Sequence, residues 1–351
     1  MSTNYARYNW IDWSKSIAIF LVIWGHVPMA QSGTYTFIYS FHMPLFFLIS
    51  GYLYNPKKTI KEELYKNLKT LMLPYFIYQL IFYPYWFVRE LLVPHQVINI
   101  DNSIIHPIIQ SLLSDAINGP TWFIYCLFLI KIYSYLIQRK QSLYWLTAST
   151  SCLISILICY WLNKQSIFGT YATHNFFAVQ IFFFTGQALK RTNIGNIANS
   201  LYLSIMWFLL SAISFSILIS IRYTSNYTTW SEMISFYMLG FTGSSMILGI
   251  GFMLNQIKSD INYNISIGTM VILGIHWMFI GVFNFIIEKY THIDYITYSS
   301  SIAFIISLFI MAINYPLIMF CKKHFPLLLG KMSIQKWNLF ALKWFFFRFI
   351  I

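Results

Sequence analysis

Three histidines and a lysine stand where a membrane chain is least expected to carry them. His26, His42 and His276 lie deep in apolar stretches, and Lys15 opens the first of those stretches. An ionisable side chain at membrane depth costs roughly 2.5 kcal/mol or more, so it marks function by default. Imidazole exchanges protons near working pH and suits a general base. It can also act as a nucleophile that carries an acyl group. The residue type leaves both roles open for His26.

Spacing adds a geometry. Lys15 and His26 are eleven residues apart. At one helical step per residue the two side chains return to one face within about 20°, separated by roughly 16 Å along the axis. Asp12, three residues before Lys15, is placed to pair with it. Such a face suits a long ligand with a phosphorylated head at the Lys15 end and a reactive group at the His26 end. A pantetheine thioester has about that reach. His26 lies eight residues before Thr34 and His42 eight after it. A tight hairpin turning near Thr34 would put both imidazoles about 12 Å below one end. His276 falls near the middle of a later apolar stretch that runs in the same direction as the first. The three rings are therefore expected at similar depth. If they converge they form a polar chamber able to orient an acceptor or stabilise an oxyanion. The other five histidines, His95, His106, His174, His292 and His324, fall in loops or at edges.

The elements that hold these residues follow from composition. The chain has 351 residues, 58% hydrophobic, 20% aromatic and 9% charged, where soluble domains run near 25% charged. Ten apolar segments reach or approach spanning length: roughly 15–33, 35–54, 70–93, 120–138, 142–162, 174–189, 199–221, 234–254, 265–287 and 297–320. The predicted fold is an all-α integral membrane protein of about ten transmembrane helices. The first segment carries an internal His and Pro28, lacks a small-residue cleavage site and is followed by more spans, so it reads as retained.

The net charge of +13 would suggest nucleic acid for a soluble protein. Here 18 of the 23 cations fall on one side of the ten segments, four (Arg89, Lys164, Arg222 and Lys289) on the other, and Lys131 inside a span. By the positive-inside rule both termini are cytoplasmic. The expected partner is the bilayer, with no nucleic acid. Cys126, Cys152 and Cys159 sit in spans and Cys321 at the inner edge, without metal-ligand spacing, and read as small buried side chains. The deep histidines lack carboxylate or thiolate company, so no metal is expected. One membrane domain spans 1–331, and a basic-aromatic tail, 332–351, reads as an interfacial anchor.

Several stretches together resemble the acyltransferase-3 family of bacterial integral-membrane O-acyltransferases. "IDWSKSIAIFLVIWGHV" is similar to the family's opening motif, in which an Asp precedes a cation by three residues and ten residues separate that cation from a His. Asp12, Lys15 and His26 fall on those places, with Lys where Arg is commoner. "FHMPLFFLISGYLY" resembles the second-span signature ending at Ser50, Gly51 and Tyr52. "KNLKTLMLPY" is similar to the family's basic pair, with Lys66 and Lys69 where Arg is usual. "GPTWFIYCLF", "VILGIHWMFI" and "HFPLLLG" resemble the Trp-Phe, late-span His and closing segments.

The resemblance implies transfer of an acyl group, usually acetyl from acetyl-CoA, to a surface polysaccharide or its lipid-linked precursor at a bacterial inner membrane. The fucose or polysaccharide O-acetyltransferase branch looks nearest. It implies His26, His42 and His276 as catalytic candidates and Lys15, Lys66 and Lys69 as holders of the CoA phosphates. Asp12, Ser50 and Trp122 are the candidate substrate contacts. For Ser50, close helix packing competes with contact, and for Trp122 ordinary aromatic packing competes with sugar stacking. A second reading is a polytopic transporter or flippase for lipid-linked glycans, which ten spans and buried histidines also fit. It has no internal repeat to support it.

Overall fold

The computed structural model describes residues 8–29, 33–92, 117–138, 143–165, 171–192, 194–220, 229–291 and 297–331. The tail 332–351, most of the long outer loop 94–119, and Arg7, Arg139, Lys140 and Arg222 lie outside the described residues. The elements are α1 (Asn9–His26), α2 (Gly33–Tyr52), α3 (Ile60–Asn67), α4 (Leu73–Leu92), α5 (Trp122–Gln138) and α6 (Tyr144–Lys164). They continue as α7 (Tyr171–Arg191), α8 (Leu201–Ile219), α9 (Trp230–Met253), α10 (Asp260–Ile267), α11 (Thr269–Thr291) and α12 (Ser300–His324).

Seven helical stretches among the described residues are long and apolar enough to cross a membrane. They are α3 run on into α4, then α5, α6, α8, α9, α11 and α12. Among the described residues the protein is thus all-helical, with multiple membrane-crossing helices. α1, α2 and α7, with 18, 20 and 21 residues, have the length of spans but more polar sequences. Their surroundings explain the difference. α1 packs against α2, α9, α10, α11 and α12, and α2 against α7 and α9. A helix wrapped in other helices need not be apolar all round. α8 is the opposite case: only 11% of its apolar window is buried, and Leu209, Leu210, Ile213 and Ile217 face outward. An exterior of this kind requires lipid rather than water.

The first segment differs from its expected bounds. The helix runs from Asn9 to His26, not 15–33. Pro28 is the reason. The residue before a proline is driven out of the helical region, and Val27 is extended at φ −67, ψ 127. His26 is therefore the last helical residue, and the hairpin does not turn at Thr34, which already belongs to α2. The freed chain pairs elsewhere: the Tyr298 N–H donates to the Pro28 carbonyl at 2.9 Å, tying the end of α1 to the approach of α12.

Between α3 and α4 the backbone widens into a five-residue π turn, Leu68–Met72. The Thr70 hydroxyl donates to the Lys66 carbonyl across that turn at 2.8 Å. Such turns re-aim side chains and recur at functional sites. After α12 the closing segment forms a short 3-10 turn, Pro326–Leu329, stopped by Gly330 at φ 68, a left-handed conformation suited to glycine. The Tyr78 hydroxyl on α4 holds that turn by donating to the Leu328 carbonyl at 2.7 Å.

Candidate functional site

Helix α1 is stitched along its first half to the segment around α10. Asn9 donates to the carbonyls of Asn255 and Ile257 at 2.6 and 2.7 Å, and the Trp13 indole donates to Ile257 at 2.9 Å. Ser16 donates to the Asn262 carbonyl at 3.2 Å. Asp12 and Lys15 then meet on one residue. The Ser266 hydroxyl donates to the Asp12 carboxylate at 2.6 Å, and the Lys15 ammonium donates to the Ser266 carbonyl at 2.5 Å. Ser266 is thus the joint that gathers the Asp12 and Lys15 side chains beside the α10–α11 break. Nothing in its local sequence announces that role.

Above this joint lies a cavity of about 390 Å³. Its wall on α1 is Lys15, Ile19 and Val22; on α11 it is Thr269, Met270 and Leu273. On α2 and just past its end it is Met43, Phe46, Ile49, Ser50 and Leu53. Lys66 and Lys131 line it as well, and Leu329 and Gly330 of the closing turn also border it. The next residue on the α1 stripe is His26, and on the α11 stripe it is His276. Backward along α2, which is antiparallel to α1, the residue next to Met43 is His42. The wall residues therefore stop about one helical turn short of His26 and His276 and one residue short of His42.

Two of those imidazoles touch. His276 Nε2 lies 2.9 Å from His26 Nδ1. His276 Nδ1 lies 2.7 Å from the Ile272 carbonyl oxygen, which can only accept. For neutral rings this assigns the protons: His276 carries its hydrogen on Nδ1, its Nε2 is a bare acceptor, and His26 must donate from Nδ1. The ring nitrogen of the pair left free to act as a base is His26 Nε2. His276 is fully buried and His26 partly buried. His42 is separate from the pair. Its Nδ1 donates to the Ile38 carbonyl at 2.8 Å, and the Tyr39 ring stands edge-on to both His26 and His42, with centroids 6.4 and 5.0 Å away. The Tyr39 hydroxyl donates to the Gly25 carbonyl at 3.1 Å, clamping α2 to the end of α1.

A buried polar knot steadies α11 beside His276. Gln79 donates to the Thr121 hydroxyl at 2.6 Å, the Asn118 N–H donates to the Gln79 carboxamide oxygen at 3.1 Å, and the Asn118 side chain donates to the Gly274 carbonyl at 2.7 Å. The Tyr78 ring packs where a Cβ on Gly274 would stand, 2.3 Å from it. Gln79, Asn118 and Thr121 are invisible to motif reading; their one sequence signal is polarity beside a Gly-Pro turn.

The remaining candidates divide. Lys66 lines the cavity while donating to the Asn55 carbonyl at 3.0 Å, with the Glu63 carboxylate at 3.8 Å. Lys69 lies over the Tyr65 ring at 5.8 Å and is absent from the cavity wall. Ser50 lines the cavity, whereas its neighbour Gly51 sits backbone-to-backbone against α7. Trp122 opens α5 and packs on Phe47, ring centroids 6.2 Å apart, outside the cavity wall. Lys131, noted in the sequence only as a cation within a span, proves to be a wall residue.

The family model described as an acyltransferase domain, acyltransferase-3, matches residues 8–321. The chain belongs to the acyltransferase-3 family. No curated protein and no solved structure matches it. The acyltransferase-3 match begins one residue before α1 and ends in the last turn of α12. It therefore takes in Asp12, Lys15, His26, His42, Lys66, Lys131, Ser266 and His276, and stops short of Leu329 and Gly330. With its membrane-crossing helices, this acyltransferase-3 chain is a membrane acyltransferase.

Proposed function

We propose that the protein is an O-acetyltransferase that moves the acetyl group of acetyl-CoA to a hydroxyl of a surface polysaccharide or its lipid-linked sugar precursor. In this reading it crosses a bacterial inner membrane about ten times, with both termini cytoplasmic. One observation carries the reading: a lysine-lined cavity runs along α1 and stops one turn short of a hydrogen-bonded histidine pair. The stretch from Lys15 to His26 rises roughly 16 Å, about the reach of a pantetheine arm. Acetyl-CoA, when bound, supplies an acyl group activated as a thioester.

The chain's own residues do the rest. Lys15 and Lys66 line the wall as donors for phosphate oxygens. Lys69, at the π turn, adds charge at the same end. His26 Nε2 takes the proton of the acceptor hydroxyl, or carries the acyl group as a nucleophile. His276 holds the His26 ring in the tautomer that leaves Nε2 bare. His42, Ser50 and Trp122 remain candidates for acceptor contact, and Asp12 acts through Ser266 and Lys15. Burial of the pair away from water strengthens each of these interactions. The carbohydrate acceptor rests on the motifs that resemble polysaccharide O-acetyltransferases. The transporter reading has no observation of its own beside the family match.

Membranes holding wild type or His26→Ala, fed acetyl-CoA labelled in the acetyl group, test the proposal. Label is expected in glycan with wild type and reduced by about 10²–10⁴-fold in the variant, the usual worth of a positioned acid–base group. Equal label in both would sink the His26 assignment. Loss of glycan export with unchanged labelling would favour transport.

A further inference from the structure

The cavity holds three cations, and their commitments differ. Lys15 is spent on the Ser266 carbonyl, and Lys66 on the Asn55 carbonyl and Glu63. Lys131 sits in the middle of α5, one of the membrane-crossing helices. Among the described residues its ammonium has no hydrogen bond and no carboxylate within 4 Å. The nearby acid is Glu63, fully buried. Its oxygens already receive the Lys57 N–H at 2.8 Å and the Asn67 side chain at 2.6 Å, besides Lys66. Lys190 adds a fourth ammonium to this end, donating to the Tyr54 carbonyl at 2.6 Å. The Tyr54 hydroxyl in turn donates to the Lys131 carbonyl at 3.1 Å, which sets Lys131 level with the inner end of α2.

An uncompensated ammonium at membrane depth, beside a second one on the same wall, is costly unless an anion joins it. The place is also informative. From the Tyr54 level to His42 is twelve residues along the chain, a rise of roughly 18 Å if helical throughout, and from Lys15 to His26 it is roughly 16 Å. A donor whose reactive end meets the histidines therefore has its diphosphate at the Lys131 level. The cavity of about 390 Å³ is lined at this level by Tyr54, Asn55, Lys66 and Lys131.

Resting on the acetyl-CoA reading above, we infer that Lys131 is the binding residue for the diphosphate of the acyl donor, with Lys66 as its partner. The shared chemistry is a diphosphate ester, and a lipid-linked diphosphate has the same group. Thermal unfolding of the purified full-length protein in detergent separates the sources. CoA and dephospho-CoA should raise the melting temperature of wild type alike, 4′-phosphopantetheine less, and a prenyl diphosphate not at all.

Lys131→Gln should melt at or above wild type without ligand, because a bare charge has gone. It should bind CoA about 10- to 100-fold more weakly, the worth of a hydrogen bond to a charged group. Lys131→Arg should recover the CoA shift. A Lys131→Gln protein with the full CoA shift overturns the inference while leaving the acetyl-CoA reading intact. So does one that melts lower without ligand and loses the shift, since that is a packing role. A larger shift from CoA than from dephospho-CoA moves the contact to the 3′-phosphate. A shift from prenyl diphosphate that equals the CoA shift assigns the site to lipid. No CoA shift in wild type means that the acetyl-CoA reading itself has failed.

Discussion

At the scale of single residues, the proposed chemistry rests on which nitrogen of which histidine is bare. The Ile272 carbonyl decides it for His276, and His276 then decides it for His26. His276→Ala removes the acceptor for the His26 Nδ1–H and frees the ring to turn or to adopt the other tautomer. The expected result is a fall in kcat of about 10–10²-fold, smaller than that of His26→Ala because the proposed reacting residue, His26, survives. The KM for the acyl donor should hold, since His276 lies beyond the lysine end of the cavity. A rise in KM at constant kcat would make His276 a binding group instead. This pair was half legible. Counting depth brought His26 and His276 to one level, but their contact joins residues 250 apart in sequence, which no local pattern reports. Lys131 was plainly visible as a charge inside a span, and the rule that such charges are functional applied to it as well as to the histidines. No motif surrounds it, so its position in the cavity wall shows only in the structure.

At the scale of elements, the decisive contact is between α2 and α7. A Cβ on Gly51 would stand 1.9 Å from the Phe183 carbonyl oxygen, and one on Gly186 would stand 2.0 Å from the Leu48 carbonyl oxygen. The two backbones touch at both points, as small residues permit within a bilayer. Gly51→Ala and Gly186→Ala should each lower stability by about 1–3 kcal/mol, the usual toll of overpacking. Thermal unfolding of purified protein reads this directly, and the same variants should lose activity because α2 carries Ser50 and His42. Gly195, with nothing within 4 Å of its would-be Cβ, is the control, and Gly195→Ala should melt like wild type. The Ser-Gly-Tyr signature thus divides by residue: Gly51 packs, Tyr52 meets the Trp10 ring at 5.2 Å, and Ser50 faces the cavity. Helix ends were less legible than helix existence. α1 stops at His26 because of Pro28, and a hydropathy run cannot see that its apolar tail has left the helix.

At the scale of the whole molecule, the more polar helices α1, α2 and α7 are packed among other helices, while α8 carries an apolar exterior. That arrangement explains why α1, α2 and α7 look less like spans than their neighbours, although all three were found as apolar segments. The charge asymmetry predicts which ends are cytoplasmic. Lys57→Cys and Lys164→Cys test it, since both positions are exposed at opposite ends of the fold and the native cysteines at 126, 152, 159 and 321 are buried. A membrane-impermeant maleimide applied to intact cells should label position 164 and leave 57 unlabelled. Reversed labelling would invert the orientation, and with it the side from which the donor enters.

The stitching of α1 to residues 255–266 has a consequence for how the protein is made. Chains are synthesised from the N-terminus, so α1 reaches the bilayer before the segment that receives it. Ser266, the residue that receives both Asp12 and Lys15, is made about 250 residues later. Gly330, at the cavity wall, follows later still. Until then α1 waits without the joint that Ser266 makes to Asp12 and Lys15. The Ser266 joint is therefore closed late, on a helix delivered about 250 residues before it.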